Sequence, residues 1–343
     1  MHRPRIAITL GDPAGIGPEI VAGVWNHASL HRWCLPLVIG HPDMVRRAVQ
    51  LLGLDLRVSD ISSAAEAADD PGTIPCLASG TDAVLQVAPA TVDARAGRAA
   101  YDAIAVATHL ALTDQVDAIV TAPLNKAALH AAGYSYPGHT ETLAALCGVQ
   151  DVGMMLYLGR GDRIPGRIGL GIVHATLHTA LRNVFEELTS HRILVSAQLA
   201  HNVADRWLLA EKIPGPPRIG ICALNPHAGE DGLFGDEEQR IIRPAVEEAT
   251  AAGLCVVGPL PADTLMPRGV AGEFDAIVAM YHDQGHVALK SLDMHRAVNI
   301  TLGLPILRTS VAHGTAFDLA WQGKAETSGM LEAVRVAAHL VQG

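Results

Sequence analysis

The feature that most limits what this chain can become is an alternation of short aliphatic runs with longer stretches of helical spacing. Such runs occur at "RIAITL" (5–10), "LPLVIG" (35–40), "DAIVTA" (117–122), "RIGLGIV" (167–173), "RIGICAL" (218–224), "CVVGPL" (255–260) and "DAIVAMY" (275–281). Between them, "AAYDAIAVATHLAL" brings Tyr101, Ile104, Ala105, Thr108 and Leu112 to one helical face, and "EEQRIIRPAVEEATAAG" closes on Gly253 as the residue just past a helix end. Parallel strands need crossover connections, usually helical, so the pattern predicts βαβ units and a largely parallel sheet in an α/β fold. The segments "DDPGTIP" (69–75), "GRGDRIPG" (159–166) and "KIPGPP" (212–217) read as Pro/Gly turns, none long enough to be a flexible linker.

A chain of 343 residues fits one large two-lobed unit or two ordinary domains. Its apolar content of 49% excludes disorder, and with only 4% aromatics the small aliphatic side chains suit close-packed helix on sheet. A net charge of −10 without Lys/Arg runs argues against nucleic acid or an anionic membrane as the main partner. An anionic ligand would therefore need a local cationic pocket. Five scattered cysteines without CxxC spacing read as buried thiols of a reducing compartment. No signal-peptide pattern and no apolar run of membrane-spanning length is present, so the expected location is cytoplasmic.

Four strand candidates end in polar clusters: "DAIVTA" in Pro123, Leu124, Asn125 and Lys126; "GLGIV" in His174 and then His178; "IGICAL" in Asn225, Pro226 and His227; "DAIVAMY" in His282 and Asp283. Ligands of open α/β sheets sit outside the carboxyl ends of the strands, so these histidines are expected to converge. Any one of them alone is more simply a satisfied structural residue, whereas three neutral imidazoles at one edge suit a divalent metal. "GDPAGIGPEI" (11–20) is either an anion-holding helix N-terminus or a plain strand-to-helix turn, and it lacks the GxGxxG dinucleotide fingerprint. "YPGHTE" places His139 and Thr140 at a helix start, while Lys290, Asn299 and Arg308 follow at intervals around "VNITLGLPIL". The last three are either solvated surface residues or a cluster for a phosphate and a carboxylate.

The ordered set "GDPAGIGPE", "TAPLNK", "GHTE", "NPHAGE", "GPLPADT", "AMYHDQG", "VNITLGLPILRTS" and "HGTAFDLA" resembles the 4-hydroxythreonine-4-phosphate dehydrogenase family over nearly the whole chain. The resemblance implies a two-lobed α/β/α fold like that of isocitrate and isopropylmalate dehydrogenases. Its lobes would be 1–140 plus 300–343, with the cofactor loop, and 141–299, with metal and dimer contacts. It further implies a homodimer with its active site at the subunit interface, and a divalent metal (Zn, Mg, Co or Mn) on His178, His227 and His282. Substrate contacts would be His139, Thr140, Lys290, Asn299 and Arg308. "HGTAFD" resembles the adenosine-binding loop of isopropylmalate dehydrogenases, so His313, Gly314, Thr315 and Ala316 would wrap the adenine. Asp318 would accept from the ribose 2′-hydroxyl, which favours NAD over NADP.

The implied activity is NAD- and metal-dependent oxidation, with decarboxylation, of a 4-phosphorylated four-carbon hydroxy acid. The first implied substrate is 4-hydroxythreonine 4-phosphate, of pyridoxal phosphate biosynthesis. The alternatives are 4-phospho-D-threonate or 4-phospho-D-erythronate, and then a cyclic cis-dihydrodiol. "VHATLH" and "DQGH", with the additional His174 and His286, resemble these paralogues more closely. Lys126 and Asp263 are candidates for proton relay or for structural hydrogen bonding. From other classes, a metal-dependent hydrolase or a sugar-phosphate-binding protein would use similar residues.

Overall fold

Twelve strands form among the described residues, 3–343 of a computed structural model: β1 (Arg5–Thr9), β2 (Leu35–Gly40), β3 (Arg57–Ile61), β4 (Thr73–Ala78), β5 (Ala118–Thr121), β6 (Gly153–Leu158), β7 (Leu170–His174), β8 (Ile219–Cys222), β9 (Val256–Leu260), β10 (Ala276–Ala279), β11 (Val298–Leu302) and β12 (Arg308–Val311). All seven aliphatic runs became strands. The edge strand β3, "RVSDI", carries no apolar run, because most of its residues stay in contact with solvent. The expected turn at 69–75 ends early, since β4 starts at Thr73. Its pairing with β2 begins at Cys76, one residue beyond Pro75, so the proline ring costs no bond to that inner neighbour.

The chain divides into two compact units, Met1–Val152 with Gly303–Val341 and Gly153–Leu302 with Gln342–Gly343. The divisions therefore fall at 152/153 and 302/303 rather than at 140/141 and 299/300. The helix His139–Cys147 stays with the first unit because Leu143 is buried in that unit's core beside Ile104, Ala107 and Ile119.

In the first unit the strand order is β3-β4-β2-β1-β5-β12, parallel throughout. Ala7, Leu37, Ile39 and Ile119 face the helix Ala94–Leu112. Ile6, Ile8, Val38 and Val120, of opposite parity, are equally buried, and the helix Ser328–Leu340 packs on β1, β5 and β12. In the second unit the order is β11-β6-β7-β10-β8-β9. The largely parallel pattern is interrupted at β6, which runs antiparallel to both β11 and β7. The Pro/Gly segment after β6 leads directly back into β7, and so short a connection can only join antiparallel strands. The helix Ser190–Ala210 covers one face, with Trp207 against Tyr157 at 4.5 Å. Helices Ala262–Val270 and His282–Lys290 pack on the other, against Leu170, Ile172, Ile277 and Ala279.

Candidate active site

In the first unit, β5 delivers Thr121 and then the segment to Asn125, whose Oδ1 caps the helix Lys126–Ala131 by accepting from Ala128 N at 3.0 Å. Arg308 opens β12 and is only 3% exposed. Its Nη2 donates to Thr121 Oγ1 at 2.6 Å. Burial pushes this guanidinium down to about 9, with nearby Glu141 pulling the other way, so it stays charged at neutral pH. His139 opens the next helix, with Thr140 following. Its Nε2 is enclosed and has no hydrogen-bond partner. Burial first, then the charges of Arg308 and Lys126, hold its pKa well below the usual histidine range, so the ring is neutral. A desolvated cation, a neutral imidazole with an unused ring nitrogen and the exposed Lys126 thus share one neighbourhood at a strand end.

The segments 11–20 and 313–323 form a single braced unit. Asp12 Oδ1 accepts from Ala14 N at 2.8 Å, Gly15 N donates to Asp12 O at 3.1 Å, and Ile16 N donates to Thr315 O at 3.0 Å. The amides of Ala14, Gly15 and Ile16 are thus engaged in the turn that leads into the helix Gly17–Val24. Glycine is required at 15, because a Cβ would lie 2.8 Å from Thr315 O. Buried Glu19 accepts from the amides of Trp321 and Gly323, at 2.5 and 2.7 Å. Phe317 packs on Ala14, Val87 and Ala96. Held from behind in this way, the loop keeps Gly314 in open space, Ala316 at φ +42°, His313 Nδ1 donating to Gly314 O at 3.0 Å, and Asp318 exposed.

In the second unit β7, β10 and β8 are parallel neighbours, and Ala279 is in register with His174. The apolar run of "AIVAMYHDQGH" is β10, after which Tyr281 caps the helix that His282 begins. Gln284 fastens two strand ends, accepting from Met280 N at 2.7 Å and donating to Ala223 O at 2.8 Å. Four imidazoles gather here. His282 stacks on His286 with centroids 3.8 Å apart and planes at 10°, and His178 and His174 each lie 6.1 Å from His282. His286 Nδ1 and His174 Nε2 share a hydrogen bond of 3.1 Å. Burial and neighbouring imidazoles push His174 down to about 3; burial, His282 and Lys290 push His286 down to about 4. A cavity of about 440 Å³ opens beside Leu177, His178, Thr179, Tyr281, His282 and Asp283.

His227 does not join them. It begins a run of left-handed residues, with φ of 52°, 55°, 80°, 45° and 53° from His227 to Asp231, and it packs edge-on against Phe234. Among the described residues no three His, Cys, Asp or Glu side chains are close enough to hold a metal ion. The chemistry of the donors nevertheless fits one. His282 Nδ1 donates to Asp283 Oδ1 at 2.6 Å and His227 Nδ1 to Glu230 Oε2 at 2.9 Å. Each ring is thereby fixed in the tautomer that keeps Nε2 as a lone-pair donor, as metal-bound histidines require. Asp283 stands beside its histidine in the sequence, where a neighbouring carboxylate is expected to orient a ring, whereas Glu230, three residues beyond His227, carried no such sign.

Of the remaining candidates, Lys290 ends the helix His282–Lys290 near His286, and Asn299 lies in β11 opposite Leu156. Asp263 is exposed in the first turn of the helix Ala262–Val270, where its charge suits the helix N-terminus. Arg308 and His139 belong to the first unit, Lys290 and Asn299 to the second.

Residues 32–337 match the family model described as Pyridoxal phosphate biosynthetic protein PdxA. The chain is 44% identical, over 99% of its length and 98% of the relative's, to D-threonate 4-phosphate dehydrogenase of Cupriavidus necator. It is 43% identical, over 99% and 96%, to 4-hydroxythreonine-4-phosphate dehydrogenase of Geobacter metallireducens. The crystal structure of a 4-hydroxythreonine-4-phosphate dehydrogenase from Burkholderia phymatum is similar with a TM-score of 0.83 at 42% identity, covering 99% of both chains.

Proposed function

Given that the chain belongs to the PdxA family and is a dehydrogenase acting on a CH–OH group, we propose that it oxidises, with NAD, a four-carbon 2-hydroxy acid phosphorylated at its far end, of the D-threonate 4-phosphate kind. The observation that carries this reading is the buried Arg308 beside neutral His139 and Lys126 in a protein of net charge −10. A desolvated cation beside a neutral imidazole at a strand end suits an anionic ligand. The additional His174 and His286 resemble the hydroxy-acid paralogues, and the 44% identical relative is a D-threonate 4-phosphate dehydrogenase, which favours a hydroxyl at C2 of the substrate. The second reading, 4-hydroxythreonine 4-phosphate with an amino group at C2, is supported by the 43% identical relative.

In this reading Arg308, Lys126, His139 and Thr140 bind and orient the anionic groups, and Lys290 and Asn299 remain candidates for substrate contact. The loop of His313, Gly314, Thr315 and Ala316 takes the adenosine of NAD, and Asp318 accepts from its ribose. A divalent metal held by His178, His227 and His282 would supply the Lewis acidity that lowers the pKa of the substrate hydroxyl. The exposed apolar side chains Leu181, Phe185, Leu233, Phe234, Val287 and Met294 of the second unit suit coverage by a second copy in a homodimer, which scattering in solution would reveal. The five free cysteines fit a reducing, cytoplasmic setting, although Cys255 is exposed and Cys147 only partly buried, where all five were expected to be buried. No helix among the described residues is long and apolar enough to cross a membrane.

The test is a side-by-side measurement of kcat/KM, read as NADH formation, on D-threonate 4-phosphate, D-erythronate 4-phosphate and 4-hydroxythreonine 4-phosphate. The first is expected to lead. Comparable turnover of an unphosphorylated cyclic diol, or NADH from none of the three, would refute the proposal. His282→Ala is expected to abolish both metal binding and turnover while the thermal midpoint stays near the wild type.

A further inference from the structure

We infer that His286, held in place by His174, is a positioning residue that fixes the His282 ring for metal binding. This rests on the metal reading above and adds to it two residues outside the proposed ligand set. His282 is reached from two sides. Its edge is tied through Nδ1 to Asp283 Oδ1 at 2.6 Å, and one face lies on His286 at a centroid distance of 3.8 Å with the planes only 10° apart. An exposed aspartate alone leaves the ring free to swing about its own side-chain bonds; a parallel ring beneath it removes that freedom.

His286 can serve as that floor because it is itself immobile. It is 6% exposed, as is His174, and the two share the 3.1 Å hydrogen bond. His174 ends β7, in register with Ala279 of β10, so the floor is anchored on two central strands. The helix comes this close only because residue 285 is glycine: a Cβ there would sit 2.5 Å from His174 Nε2 and 2.6 Å from Ile172 Cγ2. Gly285 and His286 thus form one device, the first admitting the helix to the sheet and the second using the approach to reach His174.

Zinc or cobalt binding to the whole protein, measured by calorimetry, tests this, together with the ligand-field spectrum of the cobalt form. His286→Ala is expected to weaken binding by about 10–100-fold, the range for loss of a residue that orients a metal ligand, and to alter the cobalt spectrum. His286→Phe keeps a flat face and loses the bond to His174; it should retain most of the affinity. If the alanine variant does not fold, His286→Asn, which also lacks the ring, takes its place. Wild-type affinity in a folded ring-less variant, or an equal loss in the phenylalanine variant, overturns the inference while leaving the metal reading standing. A wild-type protein that binds neither metal overturns both.

Discussion

Replacing Arg308 by methionine should move two measurements in opposite directions. The guanidinium is 3% exposed, and burial lowers its pKa from the ordinary arginine range to about 9. At about 1.4 kcal/mol per pH decade, this corresponds to roughly 5 kcal/mol against the charged form, part of which an anionic ligand would recover. Methionine has similar length and no charge, so the ligand-free protein sheds that cost and loses the bond to Thr121 Oγ1, about 1.5–3 kcal/mol for a charged donor. The thermal midpoint should therefore hold steady or rise. Truncating one side of a buried charge pair costs about 2–5 kcal/mol in recognition, so kcat/KM should fall by roughly 30-fold to several thousand-fold. Calorimetric melting of the free protein and initial rates on a phosphorylated four-carbon acid supply the two numbers. A large drop in thermal midpoint, or less than about a tenfold loss of kcat/KM, would refute the reasoning, because Arg308 would then be a structural cation.

Asp12, fully buried, is pushed up to about 6 chiefly by burial, against the lowering effect of the Ala14 and Asn125 amides. The folded state thus binds its proton more tightly than the unfolded chain, and stability should fall as pH rises from about 4 to about 6 and then level off. Asp12→Asn should flatten that window and raise stability at neutral pH by up to roughly 3 kcal/mol, checked by denaturant titration across pH. Asp275, at the start of β10, is buried, which pushes its pKa up, yet hydrogen bonds from Arg167 and Arg218 hold it below the usual carboxylate range. Asp275→Ala should cost about 3–5 kcal/mol in denaturant unfolding while leaving the activity per folded molecule unchanged. Asp318→Ala should weaken NAD binding by about 1–3 kcal/mol and narrow the preference over NADP, as judged from KM for each cofactor. A wild type that uses both equally well would remove Asp318 from that role.

What the sequence determined alone is what local periodicity and turn chemistry can determine. The seven aliphatic runs became strands because a buried parallel strand needs little beyond apolar residues in succession. Gly253 stands past its helix end at φ +88°, as the local pattern required. Strand ends at His174, His178 and His282 were legible because parallel topology places such ends at one edge. Tertiary structure decided the rest. It kept Arg308 with His139 and drew Lys290 toward His286, although sequence spacing had grouped both with Asn299. It turned β6 against its neighbours, and it carried His227 into a left-handed turn away from the other imidazoles. Above all, it made His174 and His286 a buried pair on which His282 rests. That pairing depends on how near a helix can come to a sheet, set by the missing Cβ of Gly285 against atoms more than a hundred residues away. Spacing along a chain carries no record of such a distance; only packing fixes it.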